Sequence, residues 1–300
     1  MKIAFVGAYS GNDHLPGWGG IKRAAAAIGL DAQFFDASIT DINTIGDSIN
    51  VWNPNWTIHG LSDSINSNLT KRIKGKQTLW YCDYTFFEQG HDNPVNGLDT
   101  GLTCLLLCNE KQIPIYEKRL GIPVHFVPMA SEYRDYQTQT DQVSRVVFEG
   151  TMNGGIYEER TRFVRALKER LGNKLEVVDL SNALSCFNEE SARMTADFTI
   201  TLSISATNSA EGYTSPRLFQ IPLFGGFPLA ASFPGHKDLY RDLPVFEAGN
   251  VEDCLEKIKY WLSHDGLREA KKKELIKESI AKHTYQVRLN EIVELLSTYE

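Results

Sequence analysis

The chain makes the same start twice. Lys2–Gly7 (Lys-Ile-Ala-Phe-Val-Gly) and, near the middle, Val146–Gly150 (Val-Val-Phe-Glu-Gly) are short apolar runs that stop at a glycine and lead through further glycines into a helical stretch. A short continuous apolar run closed by glycine suits a strand buried on both faces, and such strands belong to parallel sheets with helices packed on them. Two such starts in 300 residues point to two domains of about 150 residues each rather than one core.

The pattern between the starts supports this. Strand-like segments recur near 32–36, 77–82, 102–107 and 123–127, with helical stretches near 19–28, 62–73 and 110–120. Residues 84–101 form a long loop after a strand, a place where α/β domains carry function. Residues 128–142 are polar and aperiodic and read as a linker. The second half then gives a strand at 144–149, a helix at 156–171, strands near 175–179 and 198–203, and a helix at 215–224. Strands at 227–230 and 244–246 follow, then three helical stretches at 251–263, 266–282 and 284–298. The expected architecture is α/β, with two Rossmann-like doubly wound domains facing a cleft, residues 1–142 and 143–300.

Composition narrows the function. The chain is 42% hydrophobic and 23% charged, the balance of an ordinary globular protein. No apolar run approaches the ~20 residues of a membrane helix, and the first apolar run ends too soon, at Gly7, for a signal peptide. A net charge of −7 argues against general affinity for nucleic acid or acidic membrane; the local cluster Lys71, Arg72, Lys74 and Lys76 reads as a solvated helix face. The five cysteines are scattered and odd in number, and Cys104 and Cys108 only flank a Leu-Leu-Leu run, so free thiols in a reducing cytoplasm are expected.

Residues 211–229 carry the most chemistry. Ser215 suits an N-cap and Pro216 the first helical position, which places Arg217 in the first turn, where the helix dipole disfavours a cation. Either Arg217 is a plain surface residue or it stands beside free N–H groups to meet an anion such as a diphosphate. The turn Gly150-Thr151-Met152-Asn153-Gly154-Gly155, leading to a helix with Arg160 and Arg162, could cradle phosphate but lacks a P-loop lysine. The first glycine loop, Gly7 to Gly20, includes Gly11 and Gly19 and lacks the dinucleotide spacing, yet would let a ligand approach the backbone. Candidate bases are Asp13 and His14 in that loop, and Asp83 at the end of a strand-like segment; surface and turn roles are the alternatives. No Asp-x-Asp pair offers a carboxylate cradle for a metal, so arginines and helix termini would balance a bound diphosphate.

From Val146 onward the chain resembles the second domain of GT-B-fold glycosyltransferases, most closely the spore-maturation (CgeB-type) group with its glycosyl transferases group 1 C-terminal domain. Val146–Gly150 resembles the opening strand and turn of that domain. Ser215-Pro-Arg217-Leu-Phe219-Gln220 with Gly225-Gly226-Phe227-Pro228 resembles its Ser-x-Arg-x-Phe-Glu…Gly-Gly donor segment. Leu255–Leu262 resembles the next helix, and His283-Thr284-Tyr285 with Arg288 resembles the His-Thr-Tyr-x-x-Arg signature.

The resemblance implies metal-independent transfer of a sugar from a nucleoside-diphosphate sugar, with no cofactor. It implies a donor site containing Gly150, Thr151, Tyr213, Thr214, Ser215, Arg217 and Gln220, together with Gly11 and Gly19, Arg217 contacting the diphosphate. The family's ribose-binding glutamate falls on Gln220, and its partner acidic position on Gly212, next to Glu211. A neutral amide forfeits the charge-assisted part of such a bond. His283–Tyr285 would open a last helix that crosses back to brace the first domain. A glycan, a protein, a small molecule or a hydroxymethylated DNA base all fit as acceptor. A nucleotide-binding module without turnover is the alternative, and a sugar-nucleotide epimerase a more distant one.

Overall fold

A computed structural model of the chain describes residues 1–7, 17–60, 67–82, 101–134, 136, 145–180 and 189–299. The chain divides into two compact units, Met1–Pro128 with Tyr285–Glu300, and Met129–Thr284. The residues read as a linker thus begin the second unit.

Unit 1 holds a six-stranded parallel sheet. Its strands are β1 (Lys2–Gly7), β2 (Asp31–Asp36), β3 (Trp56–Gly60), β4 (Lys76–Tyr81), β5 (Cys104–Leu107) and β6 (Val124–Phe126), in the order β2-β1-β3-β4-β5-β6. Helices α1 (Trp18–Ala27), α2 (Ile42–Trp52), α3 (Ser67–Arg72) and α4 (Ile113–Leu120) connect them. Two of these elements, α2 and β3, carry no clear signature in the sequence. Helix α2 is set by its ends: Asp41 accepts from the Asn43 and Thr44 N–H groups at 3.0 Å, and Asn53 takes a left-handed φ of 51° past the last turn. Strand β3 is fully buried although two of its five residues, Thr57 and His59, are polar. His59 accepts burial through Gln77, 2.9 Å away, whose amide nitrogen donates to the Thr70 and Ile73 carbonyls. Burial pushes the His59 pKa down to about 4, so the ring is neutral near pH 7.

The last helix, α11 (Tyr285–Ser297), belongs to unit 1 and packs on α1. Beyond it, Tyr299 closes over the amino ends of the central strands. Its carbonyl accepts from Lys76 Nζ at 2.6 Å, its hydroxyl meets His125 Nε2 at 2.5 Å, and its ring stands edge-on to Trp56. Arg72 is held bidentately by Asp47, its Nη2 2.7 Å from both oxygens. Two members of the basic cluster are therefore structural.

Unit 2 holds β7 (Val146–Gly150), β8 (Leu175–Asp179), β9 (Ile200–Ser203), β10 (Pro228–Ala231) and β11 (Val245–Phe246), all parallel, in the order β11-β10-β9-β7-β8. Its helices are α5 (Glu158–Leu171), α6 (Glu189–Asp197), α7 (Arg217–Leu223), α8 (His236–Leu239), α9 (Val251–Ser263) and α10 (Asp265–Lys282). The core gathers Val146, Phe148, Val164, Ile200, Leu202, Phe227, Leu229 and Ile258.

The glycine pair after α7 has two different tasks. Gly225, at φ 82°, turns the chain out of the helix. At Gly226 a Cβ would stand 2.5 Å from the Thr195 carbonyl oxygen, so its absence lets α6 pack close. The His283-Thr284 motif is also explained within this unit. The His283 ring lies between Phe219 and Tyr240, at centroid distances of 4.9 and 4.6 Å, and its Nε2 meets the Leu239 carbonyl at 2.8 Å. Its own carbonyl accepts from Ser131 N–H at 3.0 Å, and Ser131 bridges to Thr284.

Candidate functional site

In a doubly wound sheet, ligands bind beyond the carboxyl ends of the strands where the strand order reverses. In unit 2 the reversal falls between β7 and β9. Arg217 lies there. Its guanidinium stands 5.3 Å from the Phe148 ring centroid, and Nη1 donates to the Ile204 carbonyl, just past β9, at 3.3 Å.

The local route to that position differs from the sequence expectation. Helix α7 begins at Arg217, with Pro216 rather than Ser215 at the cap position. The helix has seven residues, too few for a strong dipole. Ser215 still accepts from the Arg217 N–H, at 3.4 Å, while its own N–H donates to Ser205 Oγ at 2.9 Å. These bonds, together with buried Tyr213 and Thr214, fix the segment that delivers Arg217.

Gly150 makes room for it. A Cβ at residue 150 would stand 2.9 Å from Arg217 Nη2 and 2.8 Å from Phe148 Cζ. The glycine that ends β7 is thus required by a side chain arriving from sixty-odd residues away in sequence, not by a positive φ.

A second guanidinium completes the arrangement. Arg160, in the first turn of α5, lies over Tyr157 at 4.4 Å and on Phe148 at 5.8 Å. Its Nη2 donates to the Thr151 carbonyl at 2.6 Å, and Thr161 Oγ1 donates to the Met152 carbonyl at 3.1 Å. From the other side Asp179, at the end of β8, accepts from Met152 N–H at 3.0 Å. The turn after β7 is therefore held at three points. Arg160 is only 6% exposed, and its Nε is buried without a hydrogen-bond partner among the described residues. Burial first, and the nearby Arg217 charge second, pull its pKa down to about 10. It stays protonated at neutral pH, and an anion that relieved the repulsion would be strongly favoured. Arg160 was visible in sequence only as a basic residue near a glycine turn; its pairing with Arg217 depends on two distant strands meeting.

The other predicted residues divide. Gln220 is half-buried on α7. Gly212 has φ 70° and donates its N–H to Pro234, and Glu211 is exposed. Gly19 lies in unit 1, buried in the first turn of α1 rather than in a loop. Asp13, His14, Gly11 and Asp83 lie outside the described residues, as does the segment 84–97.

Comparison with known proteins fits this geometry. Residues 160–294 match the family model described as glycosyl transferase-like. No curated protein matches the chain. Among solved structures, sucrose-phosphate synthase from Thermosynechococcus elongatus aligns with 10% identity and a TM-score of 0.66, covering 100% of this chain and 99% of that one. Anabaena Alr3699/HepE, in complex with UDP and glucose, aligns with 10% identity and a TM-score of 0.64, covering 99% and 100%. T4 phage BGT, in complex with its UDP-glucose substrate, aligns with 11% identity and a TM-score of 0.58, covering 99% of both chains. The fold is that of the GT-B glycosyltransferases, two parallel-sheet α/β domains.

Proposed function

We propose that the protein is a glycosyltransferase that moves a sugar from a nucleoside-diphosphate sugar to an acceptor hydroxyl without a metal ion, as the CgeB-type group would. The observation that carries this reading is the pair Arg160 and Arg217 on one phenylalanine ring at the switch point of unit 2. In the reaction the bond between the anomeric carbon and the β-phosphate oxygen breaks as the acceptor oxygen bonds to that carbon. Negative charge then grows on the departing diphosphate. Two fixed guanidiniums supply the compensation that a divalent cation would otherwise give. Solved structures of the same fold that hold UDP or UDP-glucose support the donor class.

If the reaction inverts, the acceptor proton goes to a base, for which Asp83 and the Asp13/His14 pair are the candidates; a retaining front-face reaction needs no such side chain, because the departing diphosphate oxygen takes the proton. Gln220 would meet the ribose with one neutral hydrogen bond. The acceptor is a hydroxyl compound, with a glycan, a protein, a small molecule and a hydroxymethylated DNA base as the classes to screen. Cys104 and Cys254 are buried free thiols, which supports a reducing compartment such as the cytoplasm.

Titration calorimetry with UDP tests the site. Arg217→Ala is expected to weaken binding by ~1.5–3 kcal/mol, about 10- to 150-fold. Unchanged affinity in a folded variant would remove Arg217 from the site. Release of UDP from UDP-sugars, assayed with and without acceptors, separates an enzyme from the binding module that Gln220 keeps in view.

A further inference from the structure

A buried charge is ordinarily paired with an opposite one, because an isolated ion in an apolar setting is costly. Arg160 departs from that rule. It is buried, and among the described residues no carboxylate bonds to its guanidinium. Asp179, at the end of β8, favours the charge only through space while it accepts from the Met152 N–H. The direct partners are one carbonyl, that of Thr151, and two aromatic faces, Tyr157 at 4.4 Å and Phe148 at 5.8 Å.

The nearer ring is placed by the local fold. Gly155, at φ 68°, opens a single 3₁₀ turn, Gly155–Tyr157, which runs directly into α5. Tyr157 therefore precedes Arg160 by three residues, the spacing that brings two side chains onto one face of a helix. A cation over an aromatic face is attracted by the ring quadrupole, more strongly away from water. Such a face differs from a carboxylate in what it leaves behind. It steadies the guanidinium without neutralising it and occupies none of its N–H donors. Arg160 keeps its charge, and its Nε has no hydrogen-bond partner among the described residues. Arg217, 5.3 Å from the same Phe148 ring, shares the arrangement.

We propose that Tyr157 is a positioning residue of this anion site, holding Arg160 in place as a charge left for the phosphates of the ligand to neutralise. That the ligand is a nucleoside diphosphate rests on the glycosyl-transfer reading above; the ring beside Arg160 does not.

Titration calorimetry on the full chain, with UDP and inorganic pyrophosphate as probes and thermal melts beside it, tests this. Tyr157→Phe keeps the aromatic face and is expected to bind UDP within about twofold of the wild type. Tyr157→Leu, apolar but not aromatic, is expected to bind both probes roughly tenfold more weakly. Tyr157→Glu separates positioning from stability. It sets a carboxylate beside the guanidinium at the start of α5, where the helix dipole favours an acidic residue. That variant is expected to melt no lower than Tyr157→Leu and yet to bind UDP more weakly still, whereas a merely structural role would move both together. Wild-type affinity in a folded Tyr157→Leu, a loss in Tyr157→Phe as large as in Tyr157→Leu, or UDP binding by Tyr157→Glu at least as tight as by Tyr157→Leu would overturn the proposal. If Tyr157→Leu does not fold, Tyr157→Phe and Tyr157→Glu against the wild type decide. The two probes keep the readings apart. Pyrophosphate binding that depends on Tyr157, without UDP binding, counts against the nucleotide donor alone. UDP binding indifferent to Tyr157 counts against the positioning role alone, and a wild type that binds neither probe overturns both.

Discussion

The two units solve the same topological problem with opposite chemistry. Each is a parallel sheet whose first strand ends in glycine at the switch point, and in each the glycine gives its missing side-chain volume to a residue from elsewhere. In unit 2 that residue is Arg217, sharing Phe148 with Arg160; in unit 1 it is Trp18. The topology alone therefore does not make an anion site. What the glycine admits decides whether the strand end carries a charge or an aromatic ring.

The largest expected effect breaks this comparison at its glycines. Gly150→Val should push Arg217 off Phe148 and lower UDP affinity by about 100-fold or more, roughly 3 kcal/mol. Gly7→Val, by contrast, should leave UDP affinity unchanged while destabilising the protein by ~1–3 kcal/mol through overpacking against Trp18. Calorimetry and thermal melts on the two variants measure both arms. Equal loss of UDP binding in both would erase the distinction between the units.

A second contrast lies in acid sensitivity. His59 in unit 1 has a folded pKa of about 4 against an ordinary value of 6.5, so the unfolded chain binds the extra proton first as pH falls. The stability associated with neutral His59 is full above pH ~6.5 and is lost as pH drops through ~4, by at most about 3 kcal/mol. His59→Gln should flatten the melting temperature between those pH values. An unchanged pH profile would show that the ring is not buried neutral. The smallest effect sharpens the unit 2 side. Asp179→Ala removes the acceptor of the Met152 N–H and should weaken UDP binding by ~1 kcal/mol without altering the thermal melt by more than a few degrees. A loss as large as that of Arg217→Ala would mean that Asp179 does more than hold the turn.

The sequence conveyed one of these crevices better than the other. The apolar runs at Lys2–Gly7 and Val146–Gly150 and the helix–strand alternation of the second half announced two parallel sheets, because burial on both faces leaves a continuous apolar signature. Helix α2 and strand β3 escaped notice for the opposite reason. One is polar along much of its length and defined by caps, and the other hides Thr57 and His59 behind hydrogen bonds that no local pattern reveals. Arg217 was legible as an anomaly at a helix start, although the start is one residue later and the helix shorter than expected. The places of Arg160 and Trp18 were not legible. Both depend on residues brought together across strand ends, Thr151 and Phe148 for the one, Gly7 and Gly60 for the other.

The place of α11 has a consequence for how the protein is made. Unit 1 is assembled from the two ends of the chain, with all of unit 2 inserted between residues 128 and 285. A ribosome adding ~5–20 residues per second completes the sequence of unit 2 before it makes the helix that covers α1. The domain whose first strand is synthesised first is therefore completed last. Until Tyr285–Ser297 emerges, α1, whose Ile21, Ala24 and Ala25 are buried in the finished fold, lacks the helix that packs on it. Chains truncated after residue 284 and released should thus carry a protease-resistant second unit beside a protease-sensitive first one.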